Sequence, residues 1–391
     1  MNKKLIDVLE QLIAIPTVSD MSNLELIDFI ENFIDGLGGE IHRVYNEQKD
    51  KANLVCYFGP DEEGGLILSG HTDTVPAEKD KWIHSPFKLS SGKDDRGRNV
   101  YFGRGVADMK TFLAQVLVVV KNFDLSRLKK PLVLVFTYDE EVGCIGIRTA
   151  LEYMKNLDRK RPAHALIGEP TNFEVLVAHK GHSQMKVRIK GVKGHSSRVD
   201  EGVNAIAWGG RVMSLINNLQ EKHRKNIRHE DTFTGYPFNT INIGTINGGK
   251  SINIIPDECS IEIGYRTLPG DDTDFIFKEI KNEIDSKLLD DIKKENPSAD
   301  IVCELHEQVP PMFTEDGSEF EKNLREITGE NKRLAAHYTT EAGFICQNKI
   351  NCLISGPGSI MNAHKADEYI SEDDVIKGID IINKLVSRMC T

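Results

Sequence analysis

The sequence predicts an α/β protein in which a sheet with helices on both faces is interrupted by a smaller α+β module. Three observations predict this. Continuous apolar runs, each ending in a short polar cluster, recur through the first half of the chain. Helical patterns separate those runs, as in sheets whose strands are buried on both faces. After about residue 180 the continuous runs give way to alternating polar and apolar residues, the pattern of half-exposed antiparallel strands.

In chain order, the first segment carries charges inside Leu5-Ile6-Asp7-Val8-Leu9-Glu10-Gln11-Leu12-Ile13. It reads as an amphipathic helix and not as the uninterrupted apolar stretch of a secretion signal. Leu66-Ile67-Leu68-Ser69-Gly70 is a strand running into His71-Thr72-Asp73, followed by a helix over 109–122. A strand over 131–137 runs into Asp139-Glu140-Glu141, with a helix over 146–156 after it, and Ala165-Leu166-Ile167-Gly168 runs into Glu169-Pro170-Thr171. Alternation marks strands at 184–190 and 259–266, with a strand-like stretch at 239–246 and helices at 204–221 and 273–287. Two helices on one face of a four-stranded antiparallel sheet make an α+β module. From about Asp300 the α/β pattern resumes, with a strand at 352–356 and a closing helix at 372–388. The expected organisation is a catalytic domain at 1–180 and 296–391, with an inserted domain at 181–295.

Composition removes several function classes. At 391 residues, 39% hydrophobic and 28% charged, the chain has a globular balance and room for roughly two domains. A net charge of −11 argues against nucleic acid as a partner, because phosphate binding needs clustered Lys and Arg. The basic runs Arg159-Lys160-Arg161 and 222–228 are short and read as solvated faces. The longest apolar run, residues 112–120, contains Gln115 and is too short to span a bilayer, so no membrane partner is expected. Seven cysteines with no Cys-x-x-Cys pair argue against a disulfide framework and fit a reducing cytoplasm.

The chemistry lies in the strand-end clusters, since ligands in such sheets bind at the carboxyl ends of the strands. His71, Asp73, Asp108, Glu140, Glu141, Glu169 and His364 form a set of imidazoles and carboxylates suited to zinc. So acidic a cluster would repel itself without cations. Two divalent ions would neutralise it, with one carboxylate bridging them and a water between them made nucleophilic. Taken singly the residues have plainer readings. Asp108 reads equally as the N-cap of the helix after it, Glu169-Pro170 as a turn, and Gly194-His195-Ser196-Ser197 as a hairpin loop.

Together the motifs resemble a known family. Ser69-Gly70-His71-Thr72-Asp73-Thr74-Val75-Pro76, Gly103-Arg104-Gly105-Val106-Ala107-Asp108-Met109-Lys110, Asp139-Glu140-Glu141-Val142-Gly143, Gly168-Glu169-Pro170-Thr171 and Gly194-His195-Ser196-Ser197 are similar, in order, to the motifs of the co-catalytic zinc aminoacylase and carboxypeptidase family. The resemblance implies a mixed-sheet, zinc-peptidase-like catalytic domain with an inserted lid and dimerisation domain. It implies that His71 and Glu169 bind one metal, that Glu141 and His364 bind the other, and that Asp108 bridges them. Asp73 would orient the His71 imidazole. Glu140 would be the general base, and His195 would stabilise the tetrahedral oxyanion. In this family that histidine often comes from the neighbouring subunit, which implies a homodimer. Zinc is the default metal, and cobalt or manganese suits the same shell.

The C-terminal third narrows the resemblance. Tyr338-Thr339-Thr340-Glu341-Ala342-Gly343-Phe344, and the run from Gly356 to Tyr369 through His364, are similar to the acetylornithine deacetylase branch. That branch implies a small N-acylated amino acid as substrate: hydrolysis of N2-acetyl-L-ornithine to acetate and ornithine, a step in arginine synthesis. Succinyl-diaminopimelate desuccinylase, general aminoacylase and dipeptidase are the rivals within the family. Arg266 has the forked donors suited to a substrate carboxylate, Asn253 adds an amide donor, and Glu341 is a candidate partner for a cationic substrate end or else a support for the Gly343 turn.

Overall fold

A computed structural model describes residues 2–391. The chain forms two compact units. One comprises the chain up to Ala178 together with Met312–Ala336 and Thr340–Thr391; the other comprises His179–Pro311 with His337–Thr339.

The first unit is built on a nine-stranded mixed sheet. Its order is Glu40–Tyr45, Ala52–Phe58, Leu132–Thr137, Gly64–His71, Pro162–Ile167, Asn351–Ile354, Leu176–His179 and Met312–Phe313, with Leu334–Ala336 paired to Leu176–His179. Ala52–Phe58 and Leu132–Thr137 are buried at every position, as their continuous apolar character requires. Leu132–Thr137, Gly64–His71, Pro162–Ile167 and Asn351–Ile354 are mutually parallel neighbours, so their carboxyl ends lie along one edge of the sheet. His71 ends its strand, Asp139 follows Leu132–Thr137, and Glu169 follows Pro162–Ile167.

The Thr111–Asn122 helix is buried from Thr111 to Val120. It packs on the Gly64–His71 strand and also meets the helices Asn2–Ala14, Leu24–Ile34 and Glu372–Cys390. Burial on all sides explains the apolar character of residues 112–120, Gln115 apart. Gln115, within that apolar run, donates through Nε2 to the carbonyls of Asp374 (3.0 Å) and Val375 (2.9 Å) and so ties the last helix down. Burying each such Leu, Val or Phe stabilises the fold by about 1.5–3 kcal/mol. The fit is close at one point. A Cβ on Gly168 would stand 2.0 Å from Phe112 Cγ, so only glycine lets the strand turn into Glu169 beneath that ring. A three-stranded sheet, Ser90–Lys93, Asn99–Phe102 and Tyr369–Ser371, completes the unit.

The second unit is a four-stranded antiparallel sheet in the order Thr240–Gly248, Glu258–Arg266, His182–Lys190, Asp300–Val309. Alternation sends Met185, Val187, Ile189, Ile261 and Ile263 into one core and leaves Lys186, Arg188 and Lys190 on the other face. The helices Ala205–Arg224 and Phe275–Lys287 cover that core with Trp208, Val212, Ile216, Ile276, Ile280 and Ile284, spaced four apart within each helix. The Asn204 side chain caps the longer helix by accepting from Ala207 N at 3.0 Å. A short helix, Leu289–Glu295, follows.

Two expectations are corrected. Residues 296–311, assigned from sequence to the catalytic part, lie in the second unit, because Asp300–Val309 pairs with His182–Lys190 and not with the large sheet. Its mixed burial conceals the alternation that would have marked it. His223, read as a surface residue, is buried, with Nε2 2.6 Å from Glu279 Oε2. Among the described residues no helix is long and apolar enough to cross a membrane.

Candidate metal centre

The centre lies in the first unit, at the carboxyl ends of the parallel strands. His71 is 1% exposed. Its Nδ1 lies 2.9 Å from the backbone carbonyl of Asp73. A carbonyl can only accept, so Nδ1 carries the hydrogen and Nε2 turns inward as the free donor atom. Nε2 stands 3.0 Å from Asp108 Oδ1 and 3.9 Å from Glu169 Oε1.

Asp108 sits in an irregular turn, Val106–Lys110, entered through Gly105 at φ +81°. Its carboxylate caps no helix: Oδ1 faces His71 and Oδ2 lies 3.2 Å from His364 Nε2. The same His364 nitrogen is 3.0 Å from Glu141 Oε2. Two trios therefore share Asp108. One is His71, Asp108 and Glu169; the other is Asp108, Glu141 and His364; within each, one atom per residue lies within 4.8 Å of the others. Bonds of about 2.0–2.2 Å from zinc to nitrogen and oxygen suit that spacing.

Asp73 meets His71 through its main chain and serves a second segment through its side chain. Its backbone carbonyl orients His71, while its carboxylate is 3.7 Å from Nδ1. The carboxylate instead accepts the backbone N–H of Glu140 (3.0 Å) and of Glu141 (3.2 Å) and the Ser19 hydroxyl (2.8 Å). It thereby holds the turn that presents both glutamates. Asp139, to which the sequence assigned no role, forms an ion pair with Lys51 Nζ at 2.6 Å.

The electrostatics point to cations. Burial, then the Glu169 charge, pushes Glu140 well above the usual carboxylate range, and burial with the Asp108 charge does the same to Glu169. Burial and Asp108 also raise Glu141. Asp108 moves the other way: burial opposes its ionisation, but His364 and His71, one beside each of its oxygens, hold it well below the usual range. Hydrogen bonds to Asp108 and Glu141 lift His364 to about 10. Glu169 Oε1 is buried and no hydrogen bond reaches it. A buried carboxylate oxygen without a donor is costly. Mixed imidazole and carboxylate donors around such an oxygen fit a pair of divalent metals.

Residues 67–388 match the Peptidase family M20/M25/M40. The chain belongs to that family. The acetylornithine deacetylase of Pasteurella multocida is 34% identical over 97% of this chain and 96% of its own length. That of Aliivibrio salmonicida is 33% identical over 97% of each. Among solved structures, a tripeptidase from Staphylococcus aureus superposes with a TM-score of 0.75 at 19% identity, covering 100% of this chain and 98% of its own, a likeness of fold. As an M20/M25/M40 member with these relatives, the chain is a metal-dependent hydrolase.

The other candidate residues of this M20/M25/M40 chain are placed as follows. His195, Asn253 and Arg266 belong to the second unit. His195 is exposed, in a two-residue strand pairing with Ile254–Ile255. Its Nδ1 accepts from Ser197 N at 3.2 Å, so Nε2 carries the hydrogen and is a donor. Asn253 lies beside it, its carbonyl accepting from Ser196 N at 3.1 Å. Arg266 is half-buried and donates through Nη1 to the Thr339 hydroxyl. Glu341 is not on an open wall. It is 1% exposed, accepts from Thr137 Oγ1 at 2.5 Å, and burial raises it to about 7. Its carboxylate also accepts from the Ser69 hydroxyl at 3.4 Å, so hydroxyls of two parallel strands hold it. Sequence reasoning missed Glu368, whose one signal was an acid four residues after His364.

Proposed function

We propose that this chain removes the acetyl group from N2-acetyl-L-ornithine, giving acetate and L-ornithine, as a cytoplasmic, homodimeric, zinc-dependent enzyme of arginine biosynthesis. The observation that carries the reading is the sharing of Asp108 between two ligand trios, in a chain aligned nearly end to end with acetylornithine deacetylases. His71 and Glu169 would hold one ion, Glu141 and His364 the other, and Asp108 both. Bound there, the ions would polarise the amide carbonyl and acidify water.

The chain's own groups account for the rest. The Asp73 carbonyl keeps the His71 Nδ1 proton in place and Nε2 free, at 2.9 Å. The Asp73 carboxylate fixes the turn carrying Glu140. Glu140 belongs to neither trio, which leaves its carboxylate to take a proton from the attacking water and return it to the leaving nitrogen. His195, with a hydrogen on Nε2, is suited to donate to the developing oxyanion, and a second copy of the chain would supply it. Arg266, steadied by Thr339, and Asn253 would take the substrate's α-carboxylate.

The test is hydrolysis of N2-acetylornithine, N-succinyl-diaminopimelate and a dipeptide by purified protein, with and without a chelator. The expected result is chelator-sensitive release of ornithine at the highest kcat/KM. Faster cleavage of either other substrate would overturn the assignment while leaving the metal reading standing.

A further inference from the structure

A second carboxylate lies behind the shared ligand. Glu368 is 1% exposed. Its Oε2 accepts from Arg104 Nη1 at 2.7 Å and from Gly105 N at 3.0 Å. Its Oε1 accepts from Ala107 N at 2.8 Å and from Asp108 N at 3.1 Å. The backbone carbonyl of Glu368 accepts from Gly103 N at 3.1 Å. One residue thus clasps the segment 103–108 through both its main chain and its side chain.

The backbone is shaped for this clasp. Gly105 adopts φ +81°, and a Cβ there would stand 2.7 Å from Thr74 Cγ2. Such a conformation lets neighbouring N–H groups converge on one anion. Directly after Glu368, strand pairing of Tyr369 with Phe102 and Ile370 with Tyr101 fixes the register. Directly before it, the Asp367 carboxylate accepts the N–H groups of Ile83 (3.1 Å) and His84 (2.9 Å). The segment 364–368 is therefore held on two sides, and it carries His364 at one end.

We propose that Glu368 is a positioning residue that locks the Asp108-bearing and His364-bearing segments into one piece and so sets the affinity of both metal sites. This rests on the metal reading of the centre and not on the choice of substrate. A buried ion pair alone is weak evidence of a stabilising role. Here three of the four side-chain bonds go to the backbone at and just before the shared ligand, and only one goes to Arg104. Groups that hold metal ligands in place typically change metal affinity ten- to a hundredfold when removed.

The test titrates Zn²⁺ into chelator-stripped protein by calorimetry and records the Co²⁺ absorption spectrum of the same samples. Glu368→Gln presents an amide NH₂ to N–H donors, and it is expected to weaken both ions by about tenfold or more and to alter the Co²⁺ bands. Glu368→Asp keeps the charge but withdraws it by one methylene; it is expected to fold and to lose affinity at both sites by a smaller factor. Glu321→Gln is the control. Its carboxylate is equally buried and pairs with Arg325 (2.8 Å) and Arg333 (2.5 Å), so it should lower Tm without moving metal affinity. Wild-type affinity at both sites in Glu368→Asp, or in a folded Glu368→Gln, overturns the proposal. A wild type that fails to bind two ions overturns the metal reading itself, whereas failure to cleave acetylornithine touches neither.

Discussion

The Asp73 carboxylate, 3.7 Å from His71 Nδ1, accepts the backbone N–H groups of Glu140 at 3.0 Å and Glu141 at 3.2 Å, leaving its own main-chain carbonyl to hold the imidazole. One residue thereby performs two separable tasks. Asp73→Asn keeps the carbonyl but replaces one acceptor oxygen with a donor facing an N–H. Metal content should stay near wild type while kcat falls by about ten- to a hundredfold. Metal analysis alongside steady-state kinetics checks this, and a large loss of metal would return the imidazole-orienting role to the carboxylate.

Glu140 belongs to neither ligand trio. Glu140→Ala should reduce kcat by about 10²–10⁴ with metal content nearly intact, the range expected for loss of a general acid–base group. Retention of normal turnover would remove Glu140 from the mechanism.

His195 accepts at Nδ1 from Ser197 and offers a hydrogen at Nε2. A donor that acts only when negative charge develops affects kcat more than binding. His195→Ala should lower kcat by about 10²–10³ with little change in KM. Losses confined to KM would contradict an oxyanion role.

Gly168 leaves no room for a side chain, since a Cβ would meet Phe112 Cγ at 2.0 Å. Gly168→Ala should destabilise the protein by about 1–3 kcal/mol through overpacking. It should also weaken metal binding, because Glu169 is the next residue. Thermal unfolding of stripped and loaded protein separates the two effects; an unchanged Tm would mean that Phe112 moves freely.

His179 is fully buried in the second unit, with Nδ1 2.8 Å from the Lys180 carbonyl and no hydrogen-bond partner at Nε2. Burial, opposed by that carbonyl and joined by the Arg266 charge, brings its pKa down to about 4 from 6.5. Between those values the unfolded chain binds a proton that the folded chain does not. The contribution is fully present above pH 6.5 and is lost as pH falls toward 4, by roughly 2–4 kcal/mol. His179→Gln should therefore lose less stability than wild type between pH 7 and 4.5 in urea unfolding. Parallel losses in the two proteins would assign acid sensitivity to other groups.

The legible part of the site was local. His71, Glu140, Glu141 and Glu169 each follow an apolar strand by a few residues, and a strand's end can be read from the run before it. The burial of Glu341 was not legible, because its neighbours Ser69 and Thr137 come from distant strands. Glu368 was hidden for the same reason: its partners lie 260–264 positions away. The Asp300–Val309 strand was misassigned because an alternation broken by half-buried positions does not say which sheet it joins.

By itself the sequence determined the kinds of donor atoms, their strand-end positions and the presence of two differently patterned sheets. These follow from side-chain chemistry and from periodicity over a few residues. Only the tertiary structure decided that both Asp108 oxygens face histidines, that Asp73 serves the glutamate turn, and that Glu368 backs the shared ligand. Those outcomes depend on strand order and register across hundreds of residues, and no local pattern encodes a distance of that kind.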